Sequence, residues 1–117
     1  MKLKELLKQC NANLDLENFQ NFTVKDISSD SRLIKNNFIF AAISGTKDNG
    51  EKYIKDFVRF KNIAVIISKK SKFGLKNRYK DITFIETYNV RKLLSKITSI
   101  LYKNFIPEKI AITGTNG

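Results

Sequence analysis

Two short stretches constrain the fold of this chain most. Phe38-Ile39-Phe40-Ala41-Ala42-Ile43 and Ala64-Val65-Ile66-Ile67 are apolar runs without alternation. A strand with one wet face alternates apolar and polar residues, whereas an unbroken run suits a strand covered on both faces. Segments with helical spacing lie around these runs. Leu3, Leu6, Leu7 and Cys10 fall at i, i+3, i+4 and i+7, one face of a short amphipathic helix with Cys10 as a small core residue. Val90, Leu93, Leu94, Ile97, Ile100 and Leu101 repeat that spacing over a longer helix, for which Asn89 is the cap.

The remaining elements follow in order. Asn11 to Gln20 is polar and reads as a loop, and Asn21–Ile27, with Phe22 and Val24 between polar residues, reads as a strand. Asn36-Asn37 is a turn signal. Ser44 to Gly50 is a Gly-bounded loop opening a helix capped by Asn49, with Glu51 at its positive end. Tyr53, Ile54, Phe57, Val58 and Phe60 form the apolar face of that helix, and Asn62 ends it. Lys69 to Lys80 is a basic, solvated loop, and Thr83–Glu86 is a short strand. Pro107 marks a linker before a final strand at Lys109–Thr113. The alternation of strands and helices defines an α/β class, a small, mostly parallel or mixed sheet flanked by helices.

Composition narrows the chemistry. The chain has 117 residues, the size of one domain, and is 42% hydrophobic. It has one cysteine and no histidine, so neither a disulfide framework nor a zinc site is expected. No apolar run reaches the roughly 18 residues a membrane span needs, and the charged N-terminus lacks the apolar stretch of a secretion signal. A cytoplasmic protein without membrane attachment is expected. The net charge of +11 admits a basic nucleic-acid-binding module as an alternative. Against it, Arg32, Arg59, Arg78 and Arg91 are the only arginines and the lysines are scattered along the chain, which reads mainly as compositional bias. A plain structural α/β domain is the other rival.

Two loops each follow a candidate strand, where parallel α/β sheets bind ligands. In Ser28-Ser29-Asp30-Ser31-Arg32, hydroxyls and a guanidinium can hold an anion, while Asp30 is expected to cap or brace its own loop because like charges repel. The second loop carries Thr46, Lys47 and Asp48. At the end of the chain, Ile110-Ala111-Ile112-Thr113-Gly114-Thr115-Asn116-Gly117 has the form of a strand leading into a phosphate-binding turn. A complete loop of this kind continues with Lys and Ser or Thr, so Gly114 to Gly117 would be its leading half.

Taken together, Asp30-Ser31-Arg32, Phe38 to Ala42, Gly45-Thr46 with Gly50, Tyr53-Ile54, Ala64 to Ile67 and Ile112 to Gly117 resemble, in order, the N-terminal part of the Mur ligases. These are ATP-dependent ligases that build the peptidoglycan stem peptide. The Asp-Ser-Arg opening is similar to the tripeptide- and pentapeptide-forming members more than to those that add the first amino acids, and the Gly-Thr-Asn-Gly loop resembles the members that add the third residue, meso-diaminopimelate or L-lysine, to UDP-N-acetylmuramoyl-L-alanyl-D-glutamate. The pentapeptide-forming members, which add D-alanyl-D-alanine, are the alternative within the family.

The resemblance implies a UDP-substrate-binding domain over residues 1–106 and the start of an ATP-binding domain over residues 107–117. It implies that Ser29, Ser31, Thr46, Lys47 and Asp48 contact the UDP-sugar, and that Gly114, Thr115, Asn116 and Gly117 belong to the ATP loop. ATP and Mg²⁺ would serve the full-length enzyme. There the substrate carboxylate is phosphorylated and the incoming amine attacks it. No catalytic residue or metal ligand is assigned within this chain, which is expected to be inactive alone and monomeric. Two positions depart from the family pattern: Asn49 stands for its Asp and Glu51 for its His.

Overall fold

The computed structural model describes residues 1–10, 20–43, 50–69, 79 and 81–105. Helix α1 spans Leu3–Gln9 and helix α2 spans Val90–Phe105. Strands β1 (Asp26–Ser28), β2 (Phe38–Ala41), β3 (Ala64–Ser68) and β4 (Thr83–Thr87) form one sheet in the order β1-β2-β3-β4. Every pairing is parallel, with Ile27 opposite Ile39, Phe40 opposite Val65 and Val65 opposite Phe84. The mixed alternative is therefore not adopted among the described strands. Two 3₁₀ helices, Ser31–Leu33 and Gly50–Phe57, lie in the connections that follow β1 and β2.

The unbroken apolar runs are explained by two cores, one on each face of the sheet. Ile27, Ile39, Ala41, Ala64, Ile66 and Ile85 point to one side and pack beneath α1 and α2. Phe40, Ala42, Val65, Ile67 and Phe84 alternate to the other side and pack against Ile34, Ile54 and Phe57. The sequence cannot alternate because neither face is wet. Leu3, Leu6 and Leu7 of α1 with Cys10 at its C-cap, and Leu93, Ile97 and Leu101 of α2, are all buried in the first core, as their spacing predicts. The Asn89 cap is also present, its Oδ1 accepting the Lys92 N–H at 3.0 Å.

Two expectations change. The strand expected over Asn21–Ile27 joins the sheet only from Asp26. Phe22 and Val24 are buried, but their segment runs beside the N-terminus instead. The Leu3 N–H donates to the Phe22 carbonyl at 2.8 Å, the Val24 N–H donates to the Met1 carbonyl at 2.9 Å, and Lys2 and Thr23 form an isolated antiparallel bridge. Alternation in this segment therefore marks packing under α1. The second correction concerns Val58, expected on a helix face but 62% exposed. At 3.0 residues per turn, Ile54 and Phe57 stack at i and i+3, and the helix ends at Phe57, so Val58 falls in the following turn, off that buried face.

The edge of the sheet where strands begin is locked by side-chain amides. Asn37 and Asn62 adopt left-handed backbones, with φ of 66° and 58°. Asn37 Nδ2 donates to the Thr23 carbonyl at 3.0 Å, and its Oδ1 accepts from Asn62 Nδ2 at 3.3 Å. Gln20 Nε2 then donates to Asn62 Oδ1 at 3.2 Å. Asn is among the residues that tolerate this backbone region. The expected loop at Asn11 to Gln20, except Gln20, the basic loop between Lys69 and Tyr79, and the expected strand at Lys109–Thr113 lie outside the described residues.

Candidate functional site

Because all four strands run the same way, their carboxyl ends share one edge. The loop Ser28–Arg32 leaves β1 at that edge, and Ala42-Ile43 leaves β2 beside it. Ser28 Oγ accepts the Asp30 N–H at 2.9 Å and approaches the Asp30 carbonyl at 3.5 Å, closing a tight turn. Asp30 then caps the 3₁₀ helix Ser31–Leu33, its Oδ1 accepting the Arg32 N–H at 3.0 Å. Ile34, just beyond this turn, is buried in the second core and anchors the loop to the sheet.

The charges in the loop are paired with each other. Arg32 Nε donates to Asp30 Oδ1 at 3.0 Å and Nη2 to Oδ2 at 2.9 Å, a bidentate arrangement. The side-chain bond from Arg32, then its backbone N–H, holds the Asp30 carboxyl below the usual carboxylate range. Asp30 in turn raises the Arg32 guanidinium, first by the hydrogen bond and then by charge. Tyr53, on the 3₁₀ helix Gly50–Phe57, lies within electrostatic reach of Arg32, which places that helix beside the loop. Arg32 is 86% exposed along its side chain, so the ion pair stands in water and adds little to stability. Its main effect is geometric: Asp30 braces its own loop, as the sequence predicts.

Ser29 is exposed and Ser31 half-buried, and neither hydroxyl bonds another described residue. Ser28 is spent on the turn, whereas its two serine neighbours keep their hydroxyl donors. The edge thus presents two hydroxyls and a guanidinium of which only Nε and Nη2 are engaged, donors that suit an anionic or polyhydroxylic ligand. Thr46, Lys47 and Asp48 of the second loop, and Gly114 to Gly117, lie outside the described residues. Sequence reasoning did not find a third feature of this edge. Lys69, which follows β3, stacks its ammonium on the Tyr88 ring, which follows β4, at 4.5 Å from the ring centre. The parallel register that pairs Ser68 with Thr87 brings them together, and no local motif signals it.

No protein-family model matches the chain. Among curated proteins, the chain is 42% identical over its whole length to the UDP-N-acetylmuramoyl-L-alanyl-D-glutamate–2,6-diaminopimelate ligase of Clostridium tetani, covering 24% of that protein. It is 34% identical to the enzyme of the same name from Clostridium botulinum and 29% identical to ligase 2 of that name from Clostridium acetobutylicum. Both matches again span the whole chain and 24% of the relative. The fold and these matches define an α/β domain of a ligase class: the chain belongs to the Mur ligases, where it fits the N-terminal domain. The names of these relatives specify 2,6-diaminopimelate, and the chain spans about a quarter of their length.

Proposed function

We propose that this chain is the UDP-substrate-binding part of a ligase that joins meso-diaminopimelate to UDP-N-acetylmuramoyl-L-alanyl-D-glutamate. The observation that carries the proposal is the whole-length similarity to proteins bearing that activity in their names. Those names favour the third-residue ligases over the pentapeptide-forming members, and diaminopimelate over lysine. They also favour a ligase over a nucleic-acid-binding module.

In this reading, Ser29 and Ser31 donate their hydroxyls to the diphosphate or sugar, and Thr46, Lys47 and Asp48 contact it from the second loop. Arg32 adds positive charge from a position fixed by Asp30. Residues 1–106 form the substrate domain, and residues 107–117 begin an ATP-binding domain with Gly114, Thr115, Asn116 and Gly117 in its phosphate loop. ATP with Mg²⁺ would supply the activation of the substrate carboxylate. The chain works as a cytoplasmic monomer, and the 117 residues alone do not turn over ATP.

Backbone NMR of the chain titrated with UDP tests the site. Shifts concentrated at Ser29, Ser31 and Arg32 are expected. Saturating UDP that leaves those signals unmoved would overturn the assignment.

A further inference from the structure

The lysines look scattered along the sequence, but folding brings several of them onto one surface. Helices α1 and α2 pack on the same side of the sheet, and their outer faces carry Lys2, Lys8, Arg91, Lys92, Lys96 and Lys103, all exposed. Glu5 is the sole exposed carboxylate on these helices among the described residues. Elsewhere among the described residues, seven exposed cations, Lys25, Arg32, Lys35, Lys55, Arg59, Lys61 and Lys69, stand against five carboxylates, Asp26, Asp30, Asp56, Asp81 and Glu86. The two helices form one surface: α1 meets α2 in the core, and Lys96 is close enough to Cys10 to oppose the upward push that burial gives its thiol.

On α2, Lys92, Lys96 and Lys103 fall at i, i+4 and i+11, a stripe along one side of a 16-residue helix. Like charges at i and i+4 repel and weaken a helix, a cost that an opposing anionic surface relieves. We propose that the outer face of α1 and α2 docks on an anionic phospholipid bilayer. Five of the six cations are lysines, hydrated point charges that suit diffuse attraction to mobile headgroups better than the planar forks used on nucleic-acid bases. The apolar sides of both helices are already buried against the sheet, so contact is electrostatic adsorption without insertion. No helix among the described residues is long and apolar enough to cross a membrane, consistent with peripheral contact. The inference stands on the charge distribution and does not depend on the substrate proposed above.

A basic protein adsorbs weakly to any anionic surface, so the test must separate position from net charge. Two triple variants do this: Lys92→Glu/Lys96→Glu/Lys103→Glu on α2, and Lys25→Glu/Lys35→Glu/Lys61→Glu on exposed sites elsewhere. Each Lys→Glu change removes two charges, so both variants fall from +11 to +5. Co-sedimentation with phosphatidylcholine vesicles containing phosphatidylglycerol is compared with pure phosphatidylcholine, and circular dichroism checks folding of each variant. The wild-type chain is expected to bind only the anionic vesicles, with affinity falling steeply as salt rises. The α2 variant should lose at least roughly tenfold in partitioning, and the other variant less than about threefold. Equal losses in both variants, or no preference for anionic vesicles, would overturn the proposal. So would duplex DNA or RNA that displaces the chain from vesicles at equal charge concentration, which would assign the face to nucleic acid.

Discussion

Phe57 and Val58 are neighbours in sequence and opposites in the fold, and replacing each by alanine tests how the segment after β2 is wound. Phe57 is 1% exposed and packs edge-on to Phe40, ring centres 4.8 Å apart and planes at 63°. Removing a ring from such a site costs about 3–5 kcal/mol, a sum that includes about 0.5–1.5 kcal/mol for the aromatic pair. Val58 is 62% exposed, so Val58→Ala should change stability by no more than about 0.5 kcal/mol. Were this segment an α-helix with Val58 on its buried face, the Val58 truncation would instead cost about 1–3 kcal/mol. The assay is urea unfolding followed by circular dichroism, accepting only variants with an unchanged slope. Because Phe57→Ala can unfold a marginal domain, Phe57→Leu provides a milder second point, expected to cost about 1–2 kcal/mol. A Val58→Ala loss above about 1.5 kcal/mol would refute the 3₁₀ register, since no exposed position accounts for it.

Three further outcomes are expected. Asn62→Ala should be less stable than Asn62→Gly, because both lose the bonds to Gln20 and Asn37 but only alanine resists a φ of 58°; equal stability in thermal melts would argue against the left-handed turn. Asn89→Ala should cost about 1 kcal/mol through the lost cap of α2, and Asn89→Ser should recover most of it in the same melts. Asp30 has a carboxyl held below its unfolded value, so its contribution is present above the ordinary carboxylate range and disappears as pH falls through the lowered folded value. The Asp30 signal in a carboxyl-resolved NMR titration should therefore move at lower pH than that of a free aspartate, and Arg32→Ala should return it upward.

The parts legible from sequence are those in which one local rule decides. The buried face of α1, the apolar runs of β2 and β3 and the Asn89 cap each follow from spacing or residue type alone. Phe22 and Val24 show the limit: alternation states that one side is buried, yet it cannot say whether the cover is the sheet or α1. Over the eight residues Gly50–Phe57, periods of 3.0 and 3.6 both accommodate Ile54 and Phe57, and they part only at the next residue, Val58. At the site, Asp30 and Arg32 are two residues apart, so their mutual bracing was within reach of local reasoning. Lys69 and Tyr88 meet only through strand register, and the cations of α1 and α2 only through helix packing, so neither grouping is visible in the linear chain.

The central claim, that the carboxyl edge around Ser31 receives a UDP-sugar, is tested most directly by calorimetric titration of the chain with UDP-N-acetylmuramoyl-L-alanyl-D-glutamate, side by side with its Ser31→Ala variant. Saturable binding by the wild-type chain is expected, weakened about threefold to tenfold by loss of one neutral hydrogen bond in Ser31→Ala. Saturable binding that Ser31→Ala leaves unchanged, or no heat of binding at millimolar ligand, would contradict it.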